Sequence, residues 1–163
     1  MRMLALIVIM VVGTTAAGAQ TNVYYAERGH WVVMNSATAC RAVNRSPADF
    51  NYAPYNALQI TVRPKSAISI DVFFWPGAVI QERDYQLQLA FNTADMKLPA
   101  KATFGDYVLA SEPDMGLWRK FQDSKTLSVS VVGEPLLALS FTLEEIDWVI
   151  AALDACSGFL PKE

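Results

Sequence analysis

The chain has 163 residues, with 13 Lys and Arg against 16 Asp and Glu, one His and two Cys, so its formal net charge is −3. A length of this size fits one domain, and 53% hydrophobic with 18% charged residues is the composition of a folded protein. The negative charge argues against nucleic-acid binding, which needs clustered Lys and Arg. One His excludes motifs with two His ligands, and two Cys cannot build a four-Cys zinc site. We expect neither a metal nor a cofactor.

The first 20 residues have the three parts of a secretory signal peptide. Arg2 supplies the positive charge, Met3 to Val12 form an apolar run, and Ala17-Gly18-Ala19 places small residues ahead of a cleavage site before Gln20. The alternative is a membrane anchor, but a spanning helix needs about 20 apolar residues. We therefore expect removal of residues 1–20, and a periplasmic or secreted β-rich domain over residues 21–163 without a transmembrane segment.

The two cysteines, Cys40 and Cys156, enclose most of the expected mature chain. In an oxidising compartment such a pair favours a disulfide. Closing so long a loop is worth about 4–5 kcal/mol in the chain-entropy model. A redox-active pair would have C-x-x-C spacing, which is absent. We predict a structural disulfide, with two free or intermolecular thiols as the alternative.

Alternation of apolar and polar residues predicts six to eight strands, and it is clearest from Tyr85 to Phe91. Residues 44–56, with two Pro and three aromatics, predict a loop. Gly133-Glu134 predicts a two-residue hairpin turn. The other predicted strands are His30–Met34, Ala37–Val43, Ala57–Val62, Ile68–Phe74, Lys101–Ala110 with a bulge at Gly105, Leu127–Val131 and Leu136–Phe141.

Two helices are predicted late in the chain. Ser111-Glu112-Pro113-Asp114 has the residues of a helix start and is followed by Met115, Trp118 and Phe121 about one turn apart. Thr142-Leu143-Glu144-Glu145 matches a capping box with Thr142 as the N-cap and Glu145 reaching back. The residues on the apolar face of this second helix follow a 3.6-residue period: Leu143, Ile146, Val149, Ile150 and Leu153.

These elements predict a fold that is mainly β with α, the α+β class. The strands are mostly joined by hairpins and no strand–helix–strand alternation occurs, which argues against a parallel sheet. We predict an antiparallel sheet or β-sandwich with the C-terminal helix packed on it and one short additional helix.

Three segments, together with the order of the elements, carry a resemblance to a known family. They are Phe74-Trp75-Pro76-Gly77-Ala78-Val79, Ser124-Lys125-Thr126-Leu127-Ser128-Val129 and Ala151-Ala152-Leu153-Asp154-Ala155-Cys156. Over about residues 57–156 the chain resembles small exported alphaproteobacterial proteins of the invasion-associated locus B family. The resemblance implies a β-rich envelope or secreted protein without established catalytic residues, so it transfers no site.

Few residues are candidates for catalysis. His30, the one imidazole, lies beside Trp31 at the expected start of a strand, and we interpret it as a strand-end residue. Four acids fall on the last predicted helix, where the helix dipole accounts for those in the first turn: Glu144, Glu145, Asp147 and Asp154. We predict no catalytic and no metal-binding residue.

Aromatic residues are the stronger candidates for a binding site. Phe50, Tyr52 and Tyr55 lie in the predicted loop, and Trp75 lies at the end of a predicted strand. Exposed aromatics are typical of binding surfaces, although they can also cap the core of a sheet. We take these four residues as a candidate binding patch.

We therefore predict a non-catalytic exported protein that binds an envelope or extracellular partner, a protein or another envelope component. One alternative is a small-molecule or lipid carrier, which would need a large apolar cavity. The other is a carboxylate-based hydrolase, which would need titratable groups that converge in a cleft.

Overall fold

The computed structural model describes residues 23–36, 38–45, 56–63, 68–92, 94–103, 108–111 and 116–160. Within these ranges the chain forms ten strands and two helices. In chain order they are β1 (Tyr25–Arg28), β2 (Trp31–Asn35), β3 (Cys40–Arg45), β4 (Ala57–Val62), β5 (Ser69–Phe73), β6 (Asp84–Phe91), β7 (Asp95–Ala102), β8 (Val108–Ser111), α1 (Leu117–Gln122), β9 (Thr126–Val131), β10 (Glu134–Thr142) and α2 (Ile146–Ser157).

All the described strand pairs are antiparallel, in the order β1-β2-β3-β4-β5-β8-β7-β6-β9-β10. The narrowest link is between β7 and β8, where only Lys101 pairs with Ala110 and Ala102 with Leu109. Side chains from the strands on both sides of this link join one hydrophobic core. The predicted α+β class, with antiparallel strands and a C-terminal helix, is confirmed.

The register explains why the alternating segments form strands. Val33, Ala42, Ile60 and Ile70 are direct neighbours across β2 to β5, and all four are buried. Because successive side chains of a strand point to opposite faces, one alternating pattern buries a whole row of apolar residues. Beyond the link between β7 and β8, Leu89 and Val129 form an equivalent buried pair between β6 and β9.

The segment Lys101–Ala110 is not the single strand that we predicted. It divides into the end of β7 and the start of β8, which pair with each other, and Gly105 lies outside the described residues. β7 itself was missed because Pro99 argues against a strand, although Leu98 and Ala100 alternate regularly with Lys97 and Pro99. Pro99 lies on the part of β7 that β8 does not reach, where the missing N–H breaks no ladder bond to β8.

The predicted capping box is also wrong. α2 begins at Ile146 with Glu145 as its N-cap in the left-handed conformation, at φ 69°. Thr142 instead ends β10, and its Oγ1 accepts a 3.3 Å hydrogen bond from the Glu144 N–H. The Glu145 carboxylate forms a 2.8 Å ion pair with Arg28, and no side-chain hydrogen bond caps α2.

The start of α1 and the position of the last hairpin turn also differ from the predictions. α1 begins at Leu117, and Ser111, the predicted cap of that helix, belongs to β8. The hairpin turn lies one residue earlier than predicted, at Val132-Gly133, since Glu134 already pairs with Val131. Gly133 occupies the position with positive φ, 84°, which favours glycine.

α2 packs against β2 and β3 through the predicted apolar face. Ile146, Val149 and Leu153 are buried, and Leu143, just ahead of the helix, is buried as well. Ile150 is only half-buried. The acidic side chains of the opposite face, Glu144, Asp147 and Asp154, are exposed as predicted.

Candidate functional site

The disulfide is the one predicted pair of side chains that the structure brings together. Cys40 begins β3 and Cys156 lies in the last turn of α2. Their sulfur atoms are 2.01 Å apart and their Cα atoms 6.1 Å apart, within the range for a disulfide. Both side chains are buried. The bond fastens α2 to the sheet, so its role is structural.

Of the predicted aromatic patch, Trp75 can be placed. Phe50, Tyr52 and Tyr55 lie outside the described residues, so their part in the patch stays a prediction. Trp75 follows β5 and is 40% exposed. Its ring meets the edge of the buried Phe74 ring, with the two centroids 6.2 Å apart. Trp75 is therefore anchored on the core while it presents part of its ring to solvent.

A tight turn presents Trp75 at the surface. The Ala78 N–H donates a 3.1 Å hydrogen bond to the Trp75 carbonyl, which closes the turn Trp75-Pro76-Gly77-Ala78. Pro76 is at the second position, which suits its fixed φ, and Gly77 is at the third with φ 79°. This is the residue pattern of a type II turn. The sequence Trp-Pro-Gly-Ala thus holds the indole at the start of the β5–β6 connection.

The rest of this connection carries a second exposed apolar side chain, Ile80, which is 63% exposed. Its backbone is held in place by the Tyr85 hydroxyl, which lies 2.6 Å from the Ile80 N–H and accepts a hydrogen bond from it. Arg83 lies over the Tyr85 ring, 5.2 Å from its centroid. Ile80 is therefore exposed on a connection whose backbone is held in place by side-chain contacts.

The β9–β10 hairpin adds two more exposed apolar residues next to this connection. Val132 is 45% and Leu136 is 82% exposed. An ion pair of 3.0 Å between Arg83 and Glu134 joins the hairpin to the β5–β6 connection. We call the four exposed apolar residues on these two connections the rim patch: Trp75, Ile80, Val132 and Leu136.

A bulge in β10 exposes Leu136. Glu134 pairs with Val131, yet the next paired residue of β10, Ala138, is opposite Ser130, so three residues of β10 lie against no residue of β9. Leu137 turns into the core and the preceding Leu136 points to solvent. The sequence signal was Pro135 followed by two leucines, a break in alternation that predicted a late strand start rather than a bulge.

A cluster of polar side chains lies on the outer face of β4 and β5. The Gln59 amide donates hydrogen bonds to the Asp71 carboxylate at 2.9 Å and to the Thr61 hydroxyl at 3.2 Å. Burial raises the pKa of Asp71 above its ordinary value of 3.8, and the Gln59 hydrogen bond and the positive charges of Arg63 and Arg41 oppose that rise. Sequence reasoning missed this cluster because the register alone makes Gln59 and Asp71 neighbours.

Two of the acidic groups considered for catalysis are engaged with other side chains. His30 lies in the turn between β1 and β2 and is half-buried. Glu145 pairs with Arg28, and Asp147 accepts a 3.2 Å hydrogen bond from Gln122 at the surface. In the part of the chain that the structure describes, no three His, Cys, Asp or Glu residues are placed so that they could hold a metal ion.

Comparison with known proteins identifies the fold. No protein-family model and no curated protein matches the chain in sequence. The crystal structure of invasion associated protein B from Bartonella henselae superposes with a TM-score of 0.60 at 14% identity, and the match covers 83% of this chain and 99% of that one. The chain has the fold of that protein. The resemblance seen over residues 57–156 is thereby confirmed at the level of the fold.

Over the described ranges, no helix combines the length and the apolar character that crossing a bilayer requires.

Proposed function

We propose that the protein is an exported, non-catalytic single domain, residues 21–163 after removal of residues 1–20, that binds an envelope or extracellular partner through the rim patch. The observation that carries the proposal is the exposure of four apolar side chains on two neighbouring connections, Trp75, Ile80, Val132 and Leu136. Exposed apolar side chains grouped on one part of a surface are typical of interaction sites. The 3.0 Å ion pair between Arg83 and Glu134 joins the two connections that carry these four side chains.

The fixed backbone around the patch supports a role in binding. The Trp75–Ala78 turn and the hydrogen bond between Ile80 and Tyr85 hold one connection, and the pair between Arg83 and Glu134 holds it to the hairpin. A surface that is already ordered loses little conformational entropy when a partner binds. Burying an apolar side chain of this size is worth about 1.5–3 kcal/mol before that entropy is subtracted.

Two findings support export. A disulfide between Cys40 and Cys156 is the kind of bond that forms and persists in oxidising compartments. The fold is shared with a bacterial protein whose name describes it as invasion associated. Together with the signal-like residues 1–20, these findings favour a periplasmic or secreted protein.

Site-specific photo-crosslinking in the producing cell tests the proposal. A photoreactive phenylalanine analogue at Ile80 should give a discrete adduct whose mass differs from twice that of the chain. The same analogue at Asp154, exposed on α2, is the matched control and should give none. Trp75→Asp should abolish the Ile80 adduct, because it adds a charge to an apolar interface.

Adducts of equal intensity from Ile80 and Asp154, or an adduct at Ile80 that survives Trp75→Asp, would contradict binding through the rim patch. N-terminal sequencing of the accumulated protein tests export separately. We expect a first residue near Gln20 or Thr21, and a retained Met1 would contradict it.

A further inference from the structure

β10 is the long, uncharged edge of the sheet. It has nine residues, and among the described strands it pairs with β9 alone; after Glu134 none of its residues is charged. The opposite edge strand, β1, has four residues, and two of them, Glu27 and Arg28, are charged. Short length and charge are the usual protections of an edge strand against pairing with another chain. β1 has both. β10 is long, and its charged residue, its proline and its bulge all lie before Ala138, so the segment from Ala138 to Thr142 has no such protection.

Two backbone hydrogen bonds fix which groups of β10 point outward. The Leu143 N–H donates to the Lys125 carbonyl at 2.7 Å, so Leu143 and, by the alternation of antiparallel ladders, Phe141 and Leu139 direct their backbone groups toward β9. The Val132 N–H donates to the Gln86 carbonyl at 2.9 Å, which independently turns the backbone groups of Ser130 and Ser128 toward β6. Ala138 and Ser140 therefore direct their N–H and C=O groups away from the sheet.

The stretch open to a further strand is bounded on both sides. Thr142 also faces outward, but its carbonyl already accepts a 2.7 Å hydrogen bond from Asn44. Toward the other end, Pro135 lacks an N–H and the bulge after Glu134 bends the strand. The side chains of Ala138 and Ser140 are exposed as well. What remains is a regular segment with two donors and two acceptors aimed outward, from Ala138 to Ser140.

We propose that a second copy of the chain pairs antiparallel with this segment, so that β10 and its symmetry mate join two sheets across a two-fold axis at Leu139. In this register Ala138 lies opposite Ser140 of the other copy, and each pair exchanges both of its N–H···O=C bonds, so four backbone hydrogen bonds form. A register centred on Ser140 would instead set Ala138 against Thr142, whose carbonyl is occupied by Asn44.

The bounded length favours a second copy over the strand of another protein. Strand addition draws affinity from main-chain bonds along an extended peptide, and this edge offers only a three-residue stretch. A second copy is complementary to this segment by symmetry, because each copy presents the same two donors and two acceptors on either side of Leu139. It also brings two uncharged segments together, so no charge has to be buried in the contact.

Sedimentation equilibrium of the purified protein, in the form that the producing cell accumulates, tests the proposal over a range of concentrations. We expect a reversible monomer–dimer equilibrium. Ser140→Lys should raise the dissociation constant about tenfold or more, since a lysine at an edge strand opposes pairing. Ser128→Lys is the matched control, because Ser128 is exposed, its Oγ lies 3.2 Å from the Ser140 Oγ, and it belongs to the interior strand β9.

A monomer at all concentrations would overturn the proposal. So would a dimer that Ser140→Lys leaves unchanged, and so would equal weakening by the two lysine variants, which would indicate charge repulsion rather than edge pairing.

Hydrogen exchange of the unsubstituted chain gives a second measurement that does not depend on how a variant folds. The amides of Ala138 and Ser140 should exchange more slowly as the protein concentration rises, while the Leu139 amide, bonded to β9, should not change. Concentration-independent exchange at all three amides would contradict the dimer.

Discussion

Asn44 of β3 donates a 2.7 Å hydrogen bond from its side-chain amide to the carbonyl oxygen of Thr142 at the end of β10, 98 residues away in sequence. Asn44 is almost fully buried. The bond therefore joins strands from the two ends of the sheet order and satisfies a polar side chain inside an apolar core. It also occupies a carbonyl that would otherwise extend the open edge of β10.

Removing this bond should destabilise the protein. Asn44→Ala leaves the Thr142 carbonyl without its amide donor and opens a small space in the core, so we expect a loss of about 1–3 kcal/mol in the free energy of unfolding. Urea unfolding measures it. Gln122→Ala is the control, because it removes a side-chain amide whose hydrogen bond to Asp147 lies at the surface, and it should cost less than about 0.5 kcal/mol. Equal effects would mean that the Asn44 bond contributes nothing beyond an exposed one.

The disulfide should account for a large part of the stability. Cys156→Ser removes the constraint that Cys40 and Cys156 impose on 116 residues of the unfolded chain, and we expect a loss of about 2–5 kcal/mol. The double variant Cys40→Ser with Cys156→Ser should unfold at the same urea concentration with and without reductant, while the unsubstituted chain should be weakened by reductant. The intact mass of the unsubstituted chain measured without reductant should be two hydrogen atoms lower than its mass after reduction. If reductant does not change the unfolding midpoint of the unsubstituted chain, the disulfide does not have this role.

The loss of stability on truncating a side chain of α2 should follow how deeply that side chain is buried. Leu153 is buried and Ile150 is only half-buried, so Leu153→Ala should cost about 2–5 kcal/mol and Ile150→Ala about 1–2 kcal/mol. Asp154→Ala, on the exposed face, should change the free energy of unfolding by less than about 0.5 kcal/mol. If Ile150→Ala costs as much as Leu153→Ala, the face that α2 buries is wider than the structure shows.

Leu136 and Leu137 form a natural pair that tests the bulge. Leu136 is 82% exposed, and its replacement by Ala should leave stability within about 0.5 kcal/mol. Leu137 points into the core, so Leu137→Ala should cost about 2–4 kcal/mol. Thermal or urea unfolding of the two variants decides it. The reverse order would mean that β10 is shifted by one residue and that Leu136 does not belong to the rim patch.

Asp71 should make stability depend on pH. Burial raises its pKa above 3.8, so between that value and the folded pKa the native state binds more protons than the unfolded state. Its contribution to stability is therefore fully present below pH 3.8 and decreases as the pH rises through the folded pKa. Asp71→Asn, which can still accept the Gln59 hydrogen bond, should gain stability relative to the unsubstituted chain as the pH rises.

Urea unfolding of both proteins across this acidic range measures that difference. Asp84→Asn removes one negative charge at an exposed position and controls for the general effect of net charge. A difference between Asp71→Asn and the unsubstituted chain that does not vary with pH would contradict the role of Asp71.

The sequence by itself determined the local elements with the strongest periodicity and the pairing of its cysteines. Ala57–Val62 is a strand with the predicted bounds, and Tyr85–Phe91 differs from β6 by one residue, because strict alternation has one solution when one face is buried. The apolar face of α2 could be predicted for the same reason, because its apolar residues recur with a period of 3.6 residues. Two cysteines allow only one intramolecular bond, so that pairing needed no structure.

Tertiary structure alone decided how α2 starts, which segments became the weaker strands and where the candidate sites lie. Glu145 is the N-cap of α2 in the left-handed conformation and pairs with Arg28, a residue distant in sequence, in place of the predicted capping box with Thr142. The β10 bulge exposes Leu136, the Arg83–Glu134 ion pair joins the β5–β6 connection to the β9–β10 hairpin, and the register places Gln59 against Asp71. Local propensities act over a few residues, whereas these contacts depend on long-range pairing, which fixes which distant residues become neighbours.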